Sequence, residues 1–100
     1  QTKVMNFVEN MHIVKDNMFP VPPLFKLIQE QSGTPWEEMY KVFNMGHRME
    51  IYVGEEIADD IIAISKSFNI DAQIVGRCYD NDEGKGNKLT IISGLGKFIY

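Results

Sequence analysis

YKVFNMGHRMEIY, residues 40–52, changes its hydrophobic period halfway along. On the left, Tyr40 and Phe43 continue a helical spacing set by Met39; on the right, Met49, Ile51 and Val53 alternate with polar neighbours, which predicts a strand over Arg48–Val53. Between them stands Asn44-Met45-Gly46, where a residue without a side chain ends the helix and lets the backbone turn. A helix handing over directly to a strand argues for a mixed α and β fold. The turn is also flanked by an amide, an imidazole and a guanidinium: Asn44, His47 and Arg48. These are side chains suited to holding a phosphate or a carboxylate.

Upstream, Thr34-Pro35-Trp36-Glu37 has the form of a capping box with proline at the first helical position. Before it, FPVPPLFKLIQEQSG (residues 19–33) carries Pro20, Pro22 and Pro23, which fit a helix start but not its interior. Leu24, Phe25, Leu27 and Ile28 form the apolar stripe of that helix, and Gly33 fits its left-handed end. MHIVK (residues 11–15) reads as a short strand, followed by a turn at Asp16-Asn17, while Val4, Phe7 and Val8 suggest the end of a helix over residues 2–9.

Downstream, Ile57, Ile61, Ile64 and Phe68 line one stripe of a helix over residues 55–68. Its acidic residues crowd the first half and Lys66 sits near the end, as the helix dipole favours; Asn69 suits a left-handed cap. Two β-rich segments, 72–79 and 88–93, flank DNDEGKGN, read here as a polar hairpin loop, and Gly94-Leu95-Gly96 turns into KFIY. The order predicts an α+β fold, with helices layered on a mixed, mostly antiparallel sheet. The strand–helix–strand unit of residues 48–79 is expected to supply a right-handed parallel crossover.

The 100 residues fit a single domain, 1–100, with 44% hydrophobic and 24% charged residues, an ordinary globular balance. A net charge of −4 without a run of basic residues argues against a nucleic-acid partner. Cys78, the one cysteine, excludes an internal disulfide and any multi-cysteine metal site, and suggests a reducing, cytoplasmic setting. No apolar run has the length of a membrane span. The first residue, Gln1, is not methionine, which suggests either a removed short leader or a portion of a longer polypeptide.

Each candidate site has a plainer alternative. Asn44, Gly46 and Arg48, with His47, form either an anion-binding turn or a helix C-terminal turn with solvated side chains. DNDEGKGN fails as a calcium loop, since Gly84 stands at the third ligand position. Gly94-Leu95-Gly96-Lys97 lacks the other glycines and the helix of a phosphate loop. His12 within an apolar strand is expected to be structural, Cys78 a buried inert thiol, and the six methionines core filling. No nucleophile–base pair, carboxylate pair or metal triad is complete, so catalytic residues stay unassigned and the chain alone is not expected to be an enzyme.

MYKVFNMGHRM, with KDNMFPVPPLFKLIQEQSG before it and IDAQIVGR after it, resembles phosphoribosylformylglycinamidine cyclo-ligase, the AIR synthetase of purine biosynthesis. The likeness spans nearly the whole chain, and FNMG at Phe43–Gly46 is its most specific element. Much of that family reads F-N-x-G-x-G-M, whereas Arg48 stands here at the second glycine. The resemblance implies a C-terminal fragment of a two-domain, homodimeric ligase. In such an enzyme ATP and Mg2+ serve the closure of formylglycinamidine ribonucleotide to aminoimidazole ribonucleotide. The nucleotide-binding elements would lie mostly in the missing N-terminal domain, so no cofactor or metal is expected on this fragment, which should be inactive alone. Asn44, Gly46 and Arg48 would border the ribonucleotide substrate. The alternatives are a freestanding α+β binding or dimerisation module, or another member of the same ATP-binding superfamily.

Overall fold

The computed structural model describes residues 1–100 and contains four strands and three α-helices. In chain order these are β1 (Met11–Lys15), α1 (Pro23–Ser32), α2 (Trp36–Val42), α3 (Glu55–Ser67), β2 (Gly76–Asp80), β3 (Lys88–Ser93) and β4 (Gly96–Ile99). A short 3-10 helix, Thr2–Asn6, precedes them where the end of an α-helix was expected. The sheet order is β2-β1-β3-β4. β1 is antiparallel to β2 and parallel to β3, and β3 is antiparallel to β4. The fold is therefore α+β, with helices on a mixed sheet in which antiparallel pairs predominate.

Period-2 alternation places Ile13 and Lys15 of β1 on one face, beside their partners Leu89 and Ile91 of β3. Onto that face α2 brings Met39 and Tyr40, and Met45 follows from the turn; together with Ile13, Leu89 and Ile91 these residues make the buried core. Phe25 and Ile28 of α1 pack at its margin. α1 begins with proline at its first position and ends on Gly33 at φ 68°, whose N–H donates to Gln29 O at 2.9 Å, as the proline and glycine spacing predicts. Asn69 likewise takes φ 57° after α3.

Three expectations need correction. Residues 48–53 form no strand and join no ladder, so the crossover expected across residues 48–79 is absent and the parallel pair is β1–β3. Alternation reports a pleated backbone; only tertiary contacts supply a hydrogen-bonding neighbour. DNDEGKGN does not close a hairpin, because β1 lies between β2 and β3. The loop arches over the start of β1 instead: Asn81 N–H donates to Asn10 O at 2.8 Å, and Asn87 Nδ2 donates to Met5 O and Val8 O. At α2 the capping box is not formed, since Thr34 Oγ1 pairs with Ser32 Oγ at 2.7 Å and no side chain caps the helix.

α3 stays at the periphery, with Ala58, Ile61 and Ile62 half-buried and no buried residue. With the segment before it and the loop after it, α3 carries exposed apolar side chains: Met49 (80% exposed), Ile51, Ile57, Ile64, Phe68 (72% exposed) and Ile74. So many exposed large apolar side chains in one stretch of chain are uncommon on a protein that works alone.

Candidate functional site

α2 ends at Val42, and Phe43 turns extended at φ −106°, ψ 153°. The next four residues close a tight turn: His47 N–H donates to Asn44 O at 3.0 Å, with Met45 at φ 53° and Gly46 at φ 88°. Two consecutive positive φ values call for a glycine or a tolerant residue, and Asn44 eases the turn by accepting Gly46 N–H on Oδ1 at 2.8 Å. That bond fixes the orientation of the amide, so Asn44 Nδ2 is left as a donor facing outward. A Cβ on Gly46 would come within 2.7 Å of Pro22 Cγ, so the open side of this glycine is filled by the proline-rich segment. Met45 and His47 point inward and are buried; Asn44, Gly46 and Arg48 are exposed.

The turn forms one wall of a cavity of about 410 Å3, whose opposite wall is the start of the chain. Asn44, His47, Arg48 and Glu50 line it from the turn and the segment after it, Lys41 from α2 and Lys3 from the 3-10 helix. Of the three residues singled out from sequence, the structure brings Asn44 and Arg48 to this cavity and sets Gly46 behind it, against Pro22.

Beneath the cavity lies a cluster that the motif reading missed. Lys15, 2% exposed, donates through Nζ to both Glu50 oxygens at 2.9 and 2.8 Å and to Gln1 Oε1 at 2.6 Å. Tyr52 Oη donates to Glu50 Oε2 at 2.8 Å, and Gln1 Nε2 donates to Asn44 O at 2.7 Å, tying the turn to the ion pair. Desolvation acts to raise the Glu50 pKa, but the hydrogen bond and charge of Lys15, helped by Tyr52, hold it below the usual carboxylate value. Burial and the Glu50 charge push the Tyr52 phenol up. His47 sits 3.8 Å through Nδ1 from Glu50 Oε1, edge-on to Phe19, with its Nε2 buried and without a partner. Desolvation lowers its pKa, against a partial upward pull from Glu50. A signal was present in the sequence: a lysine at an inward position of an apolar strand needs a carboxylate, and Glu50 is the acidic residue within the alternating segment.

The other candidates separate cleanly. His12 Nε2 pairs with Thr90 Oγ1 at 3.0 Å and its ring meets Tyr79 edge-on, a structural arrangement. Cys78 is exposed rather than buried, though partial desolvation raises its thiol pKa. No three His, Cys, Asp or Glu side chains are grouped to hold a metal ion. No helix is long and apolar enough to cross a membrane.

Fold and site together define an α+β chain with a cation-lined cleft beside a glycine turn, a class that fits many ligands. Comparison with known proteins narrows it. No family model matches the chain. The phosphoribosylformylglycinamidine cyclo-ligase of Methanocaldococcus jannaschii is 43% identical over 74 residues, 74% of this chain and 21% of that protein. Those of Methanococcus vannielii and Shouchella clausii are 40% and 36% identical over 77% and 78% of this chain. The chain belongs to the phosphoribosylformylglycinamidine cyclo-ligase family and spans about a fifth of the length of the curated relatives it matches.

Proposed function

We propose that this chain forms one wall of the substrate cleft of an ATP-dependent cyclo-ligase that closes formylglycinamidine ribonucleotide to aminoimidazole ribonucleotide, with Asn44 and Arg48 bordering the substrate. The observation that carries this reading is that both residues, from the turn most like the family's, line one cavity. Arg48 presents a planar fork of donors suited to a phosphate or carboxylate. Asn44, with its carbonyl side engaged by Gly46, offers its amide hydrogens to a carbonyl or ring nitrogen. Gly46 serves the reaction through the turn, keeping Asn44 and Arg48 at the cavity while Pro22 fills the space behind. ATP and Mg2+ would be bound by residues outside this chain, and the isolated chain would not turn over.

In the complete enzyme, Asn44→Ala and Arg48→Ala are each expected to lower kcat/KM by about 100-fold, the scale for losing one oriented donor near the reacting atoms. Unchanged kcat and KM in both variants would remove these residues from the site and leave a binding module as the better description.

The exposed apolar side chains between Met49 and Ile74 fit the same reading: in a homodimeric, two-domain ligase, the remaining polypeptide would cover them. Left uncovered, they are expected to join copies of the 100-residue chain. Its sedimentation coefficient should rise with concentration, and fall back when Ile64 and Phe68 are both replaced by aspartate. A wild-type chain that stays monomeric at high concentration would speak against a covered face.

A further inference from the structure

We propose that the cavity between the 3-10 helix and the Asn44–His47 turn is a phosphate-monoester subsite, held by the charges of Lys3, Lys41 and Arg48 and by the imidazole of His47. This rests on reading the cavity as part of the substrate cleft, and adds to it two lysines and a histidine.

Charge is the first observation. Three cationic side chains line the cavity, and Glu50, the one carboxylate in its lining, has both oxygens engaged by Lys15 and one also by Tyr52. The carboxylate is already neutralised from beneath, so the uncompensated charge facing the cavity is positive. Lys3 and Lys41 are exposed and form no ion pair within the chain, as does Arg48. They come from three different elements that converge on one volume of about 410 Å3, enough for a sugar phosphate.

The second observation is independent of charge. The His47 side chain is 3% exposed, belongs to the same wall, and leaves Nε2 buried without a hydrogen bond. An orphaned ring nitrogen is costly unless a partner arrives. A phosphate oxygen suits it: the neutral ring, with its proton on Nε2, donates to that oxygen.

The phosphate could belong to a ribose 5-phosphate or to the end of a nucleoside triphosphate, and binding to the complete protein separates the two. Calorimetry with ribose 5-phosphate, ribose and ATP should show ribose 5-phosphate binding and no binding of ribose. The double variant Lys3→Gln/Lys41→Gln should raise the Kd for ribose 5-phosphate at least about tenfold, through the loss of two charge-assisted contacts. Lys3→Arg/Lys41→Arg should restore affinity. Both lysines are exposed, so neither change threatens folding. If ATP alone loses affinity in the glutamine variant, the subsite stands with a triphosphate as its source. Equal Kd values for both phosphates in wild type and variant would overturn it. Crippled turnover in Asn44→Ala and Arg48→Ala with unmoved phosphate affinity in the lysine variant would sink this inference alone. The opposite pattern would sink the reading of Asn44 and Arg48 as substrate contacts and take Arg48 out of the subsite, leaving it to the two lysines and His47.

Discussion

Replacing Glu50 by alanine is expected to destabilise the fold by about 3–5 kcal/mol, because it leaves the Lys15 ammonium buried without its counter-charge. Lys15 is 2% exposed, and Glu50 takes two of the hydrogen bonds its Nζ donates. Desolvating an ammonium is far costlier than losing one surface contact, so the removal of one partner dominates the result. A change of that size is a large fraction of the stability of a small domain, typically about 5–15 kcal/mol. Urea denaturation of wild type, Glu50→Ala and the double variant Lys15→Met/Glu50→Leu tests the cause. The double variant should recover most of the loss, since an apolar pair of similar volume removes both charges together. A Glu50→Ala variant within about 1 kcal/mol of wild type would show that Lys15 finds water instead.

The same cluster sets a pH dependence. The folded pKa of Glu50 lies below its ordinary value, so the stability it contributes is complete above about pH 4.5 and disappears as pH falls through the folded value. His47 is also depressed: below about pH 6.5 the unfolded imidazole takes a proton that the folded one refuses, and stability starts to decline there. Two declining limbs are therefore expected on acidification, and Glu50→Ala should abolish the lower one.

Tyr40→Ala is expected to cost a similar amount, about 3–5 kcal/mol, through the cavity left under α2. The residue is 2% exposed, its ring lies 5.4 Å from that of Phe98, and its hydroxyl donates to Ser93 Oγ at 3.1 Å. It thus joins α2 to both β3 and β4. Tyr40→Phe should cost only about 1 kcal/mol, one hydrogen bond, because Ser93 Oγ still accepts Leu95 N–H at 3.2 Å. Thermal melts should show a drop of more than about 12 °C for alanine against about 4–8 °C for phenylalanine. Equal shifts would mean that the hydroxyl, not ring packing, holds the helix.

Local chemistry was legible wherever neighbours along the chain decide conformation. Pro23 and Gly33 bound α1, Gly46 follows the end of α2, and Asn69 follows α3, because each position depends on φ preferences within a few residues. The same locality made Asn44 and Arg48 recognisable as a pair beside a turn. It could not show that Thr34 would prefer Ser32 over capping α2, since the two hydroxyls compete within one bend.

By itself, then, the sequence determined the helices, most of the strands, the α+β class and the family, all of which follow from spacing, backbone preference and motif. Tertiary structure alone decided that β1 separates β2 from β3, that Arg48–Val53 has no ladder, and that Lys15 reaches Glu50 under the cleft. Strand pairing and buried ion pairs join residues far apart along the chain, and their energies depend on which surfaces exclude water. A pattern of neighbours carries no record of that exclusion.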